Sequence, residues 1–186
     1  MKYAKEIIQE KYAGGEMLKY IFFWGHKPSD SGDITKSCLS QWYECKFTSE
    51  NIEYHTAEQY MMSQKALLFN DKEIYNRIMK ADNPGEYKSL GRKIKNFDEN
   101  IWNEHRTEIV LKGNIAKFSQ NTGLRDFLLN TGSRILAEAS PYDRIWGIGM
   151  AQNENGIENP YNWKGDNLLG FCLMETRDIL RETSYE

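Results

Sequence analysis

A mostly helical α+β fold, forming a single compact domain with a small β element, is what this sequence predicts. The size and composition point there first. At 186 residues, 40% hydrophobic and 27% charged, the chain suits one domain with a well-filled core. Helix-start signals then recur through the middle of the chain and again near its end. The β-type runs, by contrast, are few and short, at 20–24, 43–54 and 134–138.

In order, residues 3–19 read as a modest helix broken at Gly14-Gly15. It is a peripheral addition, so the chain divides into an N-terminal helical extension at 1–19 and a main domain at 20–186. Tyr20-Ile21-Phe22-Phe23-Trp24 is a compact aromatic and β-branched run, expected as a buried strand. Residues 26–33 are a polar loop by their turn residues. Tyr43–Phe47 and Ile52–Tyr54 bracket Thr48-Ser49-Glu50-Asn51 as a hairpin. Thr56, followed three residues on by Gln59, is a capping-box pattern opening a helix. Lys72–Lys80 has Ile74, Ile78 and Met79 near helical spacing, and Asn83-Pro84 is a further start signal. Asp98 caps a long helix to about Ser119, with Ile101, His105, Ile109, Lys112 and Ala116 expected on or near one stripe and Trp102, Val110 and Leu111 widening it. A short helix at Leu124–Leu129 and a strand at Arg134–Glu138 follow. Residues 151–166 are rich in Asn, Gly and Glu, hence a surface loop, and a helix runs from Asn167 to about Arg181.

Composition excludes several function classes. No apolar run approaches the roughly 20 residues of a membrane helix, and Met1–Glu10 carries charges too closely spaced for a signal peptide. Cys38, Cys45 and Cys172 are an odd number without C-x-x-C spacing, which disfavours a disulfide framework and a structural zinc site. The chain reads as cytoplasmic with reduced thiols. A net charge of −3 argues against strong non-specific nucleic-acid binding. It leaves room for one nucleotide in a pocket, and the five tryptophans are core fillers first and stacking platforms second.

The anomaly lies in the Thr56 helix. At about 3.6 residues per turn, Glu58, Met61, Met62, Lys65 and Leu68 share one face. A carboxylate and an amine on an apolar stripe are unusual, since charges are seldom buried unless paired or employed. Glu58 in the first turn also complements the helix dipole, so spacing alone leaves both explanations open.

A resemblance bears on that choice. Tyr54-His55-Thr56-Ala57-Glu58-Gln59-Tyr60, with Gln64-Lys65, resembles the signature helix of the NADAR family. Glu138-Ala139-Ser140-Pro141-Tyr142-Asp143-Arg144-Ile145-Trp146-Gly147-Ile148-Gly149 resembles its second block. Asn167-Leu168-Leu169-Gly170, followed by Leu173-Met174-Glu175 and Arg177, resembles its third. The three blocks fall in the family's order across roughly residues 20–182. The resemblance implies a NADAR-like fold whose small β element stands near the ligand pocket, and hydrolysis of base–ribose links. The substrate is then an ADP-ribosylated guanine base or a phosphorylated, nucleotide-like ribosylamino-pyrimidine intermediate of riboflavin synthesis.

Carried over residue by residue, Glu58 matches the family's helix glutamate and is the candidate catalytic carboxylate; Lys65 matches its lysine. Lys65 either pairs with substrate phosphate or forms a Schiff base with ring-opened ribose. Leu39-Ser40-Gln41-Trp42 stands where the family shows phenylalanine-serine-asparagine-phenylalanine, so Ser40 and Trp42 are candidate contacts and Gln41 is a departure. Gly91-Arg92 resembles a family glycine-arginine pair; Arg92 either clamps a phosphate or belongs to a solvated face. Trp102 matches a tryptophan packed near the site. Asp143 either touches ligand or bonds its own backbone; Trp146, Gly147, Gly149 and Asn167, with Phe23 and Trp24, complete the substrate-binding candidates. Glu138 is a further carboxylate, and His105 reads as a core or edge histidine rather than a catalyst.

An isolated carboxylate, an amine and aromatic rings suit N-glycosidic cleavage, in which positive charge builds on the ribose as the base departs. No metal and no cofactor is called for. The alternatives are a non-catalytic ADP-ribose-binding or nucleotide-binding module and a plain structural or regulatory domain. No residue pattern specifies an oligomeric state.

Overall fold

The computed structural model describes residues 2–183. In chain order its elements are α1 (Lys5–Ala13), β1 (Tyr20–Phe23), β2 (Phe47–Ser49), β3 (Ile52–Tyr54), α2 (Ala57–Leu68), α3 (Lys72–Lys80), α4 (Pro84–Gly91), α5 (Glu99–Gln120), α6 (Thr122–Asn130), β4 (Ile135–Glu138) and α7 (Leu168–Glu182), with short 3-10 turns at Lys36–Leu39 and Pro160–Asn162. This is the helical α+β class that the sequence predicts. The chain forms two compact units: one takes residues up to Ser40 and from Thr122 onward, the other spans Gln41–Asn121.

In the first unit, β1 pairs in parallel with β4, from Tyr20 opposite Ile135 to Phe23 opposite Glu138. Both strands are short apolar runs, and Phe23, Leu136 and Ala137 are fully buried. α7 packs on β4 and α6 on α7. The buried Arg177 guanidinium near the end of α7 donates to Thr131 Oγ1 and to the Arg134 carbonyl, each at 2.8 Å, and so staples the turn between α6 and β4. α1 lies against the Pro160–Asn162 turn, where Gln9 donates to the Pro160 carbonyl. The loop over 151–166 is anchored by Trp163, which is buried and donates its indole N–H to the Ile157 carbonyl at 2.7 Å.

The second unit is built around α2, which packs against α3, α4 and α5. The hairpin is tighter than the sequence suggests. Its strands run through Thr48 to Ser49, and only Glu50 and Asn51, at φ 51° and 62°, make the turn. Two consecutive positive φ values suit the right-handed twist of a two-residue hairpin loop. The Gln120 side chain holds the hairpin to α5 by two bonds to Thr48, at 2.8 and 2.7 Å.

α5 buries Trp102 and Val110 from the expected stripe but turns other members of it outward. Ile101, His105 and Lys112 are exposed, whereas Trp102, Val110, Gly113, Asn114, Lys117 and Phe118 are buried. The burial of Asn114 and Lys117 explains the difference. Asn114 exchanges hydrogen bonds inside the unit, and the Lys117 ammonium lies 5.7 and 5.0 Å from the Tyr43 and Phe118 ring centroids. A polar side chain satisfied in this way is as much part of the inner face as an apolar one.

Candidate functional site

α2 begins where Thr56 accepts a hydrogen bond from the Gln59 N–H at 3.1 Å. The reciprocal half of the box reaches one residue further back, since Gln59 Oε1 accepts from the His55 N–H at 2.8 Å. Gln59 Nε2 also donates to the Ile78 carbonyl at 3.3 Å, which ties the first turn of α2 to α3. Every residue from Ala57 to Ser63 is buried, more than the single stripe that the spacing indicates.

Glu58 sits in that turn and is only 4% exposed. Its N–H, one of the helix's orphan donors, is taken at 2.9 Å by the Gln41 carbonyl. The Gln41 side chain in turn donates to Asn114 Oδ1 at 3.2 Å, and Asn114 donates to the Val110 carbonyl at 2.9 Å. This buried amide pair fixes the backbone against which the Glu58 turn rests. Asn114 carries no motif, and on a helix as polar as α5 nothing in the sequence marks it.

Two turns along the same face, Lys65 is half-buried. Its Nζ donates to the Gly91 carbonyl at 3.3 Å and lies 4.1 Å from the Phe97 ring centroid and 5.3 Å from that of Trp102. Burial pushes the Lys65 amine below the ordinary lysine range, while the nearby negative charge of Glu58 opposes that shift. At Gly91 α4 lies so close to α2 that a Cβ there would run into Met62 Sδ. The structure thus brings Glu58, Lys65, Gly91 and Trp102 together, and adds Phe97, which the sequence reading missed. Trp42 is half-buried with the Lys88 ammonium 5.9 Å from its centroid. Arg92 caps the end of α4 and is exposed.

The first unit holds the other candidates. Phe23 is fully buried opposite Glu138. Trp24, just past β1, is 55% exposed and meets Tyr142, 86% exposed, at a centroid distance of 6.2 Å. Ser40 is half-buried and closes the Lys36–Leu39 turn. Asp143 Oδ1 accepts from the Ile145 and Trp146 N–H groups at 2.9 and 2.8 Å, an Asx-type turn. Trp146 is half-buried. Gly147 and Gly149 are buried; a Cβ at Gly147 would come within 2.8 Å of the Glu138 carbonyl, so only glycine fits this corner. Asn167, left-handed at φ 56° and fully buried, accepts from the Glu138 N–H at 3.0 Å and donates to the Leu136 carbonyl at 2.9 Å. Its amide is thereby committed to bracing β4.

Among the described residues, no helix is long and apolar enough to cross a membrane. The family model described as the NADAR domain matches residues 22–181. The chain is 43% identical over 169 residues to N-glycosidase R617 of Acanthamoeba polyphaga mimivirus, covering 88% of this chain and 97% of that protein. It is 29% identical over 150 residues to the riboflavin biosynthesis protein VVA0006 of Vibrio vulnificus, covering 81% of this chain and 37% of that protein. Among solved structures, that of the E. coli protein YbiA is similar with a TM-score of 0.70 at 26% identity, over 90% of this chain and 88% of that one. The chain belongs to the NADAR domain family.

Proposed function

We propose that this protein is an N-glycosidase that hydrolyses the bond between a base nitrogen and C1′ of a phosphorylated ribose, with Glu58 and Lys65 as its catalytic residues. The observation that carries the reading is the pairing on α2 of an almost wholly buried carboxylate with an amine held against two aromatic rings. Both charges are costly to keep out of water. The mimivirus relative that is named an N-glycosidase supports the same class.

In the proposed reaction the C1′–N bond breaks and its electron pair leaves with the base, which takes up a proton. Glu58 stabilises the positive charge that develops on the ribose and orients the attacking water. The water oxygen bonds to C1′ and releases a proton, so the products are a free base and a ribose bearing a hydroxyl. Lys65, with its lowered proton affinity, supplies a neutral amine more readily than an exposed lysine does. That favours a route in which the amine, not water, first bonds to C1′ of the ring-opened ribose as the base departs, over a role as a fixed positive partner for phosphate. On that route the water oriented by Glu58 hydrolyses the resulting imine, which frees the ribose and restores the amine. Trp42, Gly91, Arg92 and Trp102 are the substrate-binding candidates of the second unit. Trp24, Ser40, Asp143, Trp146, Gly147 and Gly149 are those of the first, where the buried Phe23 and Asn167 hold the backbone beneath them.

The substrate class is an ADP-ribosylated guanine or a phosphorylated ribosylamino-pyrimidine, the latter in keeping with a relative named for riboflavin biosynthesis. Incubating the protein with each and measuring the free base released tests the reading. Glu58→Gln is expected to cut release by a factor of about 100 or more, the usual contribution of a positioned acid–base group. Full turnover in that variant removes Glu58 as the catalyst.

A further inference from the structure

We propose that Trp24 and Tyr142 form a stacking subsite in the first unit for one nucleobase bearing N–H donors, with Asp143 Oδ2 accepting a hydrogen bond at the edge of the base. The two rings are large and apolar, yet 55% and 86% exposed, and neither covers the other. Their planes stand 54° apart at a centroid separation of 6.2 Å, so ring faces stay open to a third planar group. Exposed aromatic rings gain little by lying in water, whereas a base stacked on them removes apolar surface and adds ring–ring attraction.

The backbone under these rings is built rather than loose. β1 and β4 are parallel and end level, Phe23 opposite Glu138, so the segments leaving their carboxyl ends emerge side by side. The Ala139 N–H continues the ladder to the Phe23 carbonyl at 2.8 Å. In the chain Tyr142 is flanked by Ser140, whose Oγ accepts from the Asp143 N–H at 3.3 Å, and by the Asp143 turn. The carboxyl ends of parallel strands are the common place for ligands on open sheets.

The chemistry of the edge selects the ligand. Asp143 Oδ1 carries both backbone bonds, and Oδ2 makes no hydrogen bond among the described residues. A carboxylate oxygen on the residue next to Tyr142 accepts from an amino or ring N–H and repels phosphate, so it is the base end of a nucleotide that fits. Two rings and one carboxylate match a single base, whereas a stable protein partner buries on the order of 800 Å² per side.

The subsite lies wholly in the first unit and stands independently of the glycosidase reading; its test needs no turnover. The whole chain is titrated with guanosine 5′-monophosphate and, separately, ribose 5-phosphate, following tryptophan fluorescence and the Trp24 indole resonance. The nucleotide is expected to bind and shift that resonance, and ribose 5-phosphate to leave it unmoved. Tyr142→Ala and Trp24→Ala are each expected to weaken nucleotide binding about tenfold, the loss typical of one stacked ring; Tyr142→Phe retains it. Unchanged affinity in Tyr142→Ala, equal loss in Tyr142→Phe, or no binding by the unaltered chain overturns the subsite. Because Tyr142 is so exposed, an unaltered melting temperature in Tyr142→Ala separates lost stacking from lost fold. Nucleotide binding without base release from either substrate sinks the glycosidase reading and leaves the subsite standing.

Discussion

The Lys65 ammonium lies 4.1 Å from the centre of the Phe97 ring, and this contact joins α2 to the segment just ahead of α5. Phe97 in turn packs edge-on against Phe69, at a centroid distance of 5.2 Å, just past the end of α2. An amine otherwise free to extend into water is thereby kept close to Trp102 and the Gly91 carbonyl.

Replacing Lys65 is expected to separate stability from activity. Burial holds its proton affinity below the ordinary lysine value of 10.5, so between the lowered value and 10.5 the unfolded chain binds more protons than the folded one. Stability therefore rises with pH through that window, and the cost of the buried charge is fully present below it. Lys65→Met removes the dependence: urea unfolding is expected to show a gain of about 1 kcal/mol near neutral pH, shrinking as pH rises through the window, alongside a loss of base release. Lower stability at neutral pH would mean that the ring and carbonyl contacts outweigh the desolvation.

Phe97→Ala tests whether the ring dries the amine or chiefly attracts its charge. Opening Lys65 to water raises its proton affinity; losing a cation–π contact, worth about 0.5–1 kcal/mol at exposed sites, lowers it. Burial is what lowers the Lys65 proton affinity, against the opposing charge of Glu58, and the Phe97 ring covers the amine, so the pH–rate profile of base release is expected to move its rising limb upward in pH. A downward move would show that attraction dominates.

Gly91→Ala places a methyl group against Met62 Sδ. Overpacking of this kind is expected to destabilise by about 1–3 kcal/mol in denaturant unfolding. Made in a Met62→Ala background, the same change is expected to cost little, because the colliding side chain is gone. Equal costs in both backgrounds would point to the helix terminus rather than to the contact.

Asn167→Ala strips the two hydrogen bonds that hold β4, to the Glu138 N–H and the Leu136 carbonyl. It also leaves alanine in a left-handed conformation costing about 1–2 kcal/mol. A total loss of about 3 kcal/mol or more is expected, with each buried unsatisfied partner adding its own penalty. Chemical unfolding measures it; a variant as stable as the parent would show that β4 does not depend on this brace.

Local chemistry determined much of this protein before any coordinates. The caps at Thr56, Asn83 and Asp98 start α2, α4 and α5 where the sequence says they should, because a cap joins groups only two or three residues apart. The helical repeat likewise put Glu58 and Lys65 on one face of α2. What tertiary structure alone decided is long-range: the parallel pairing of β1 with β4, the amide bond between Gln41 and Asn114, and the placing of Phe97 over Lys65. The inner face of α5 also belongs here, since Asn114 and Lys117 look like solvent residues until partners distant in sequence satisfy them. Sequence spacing reports neighbours along a helix or strand; which polar groups are worth burying depends on what packing brings against them.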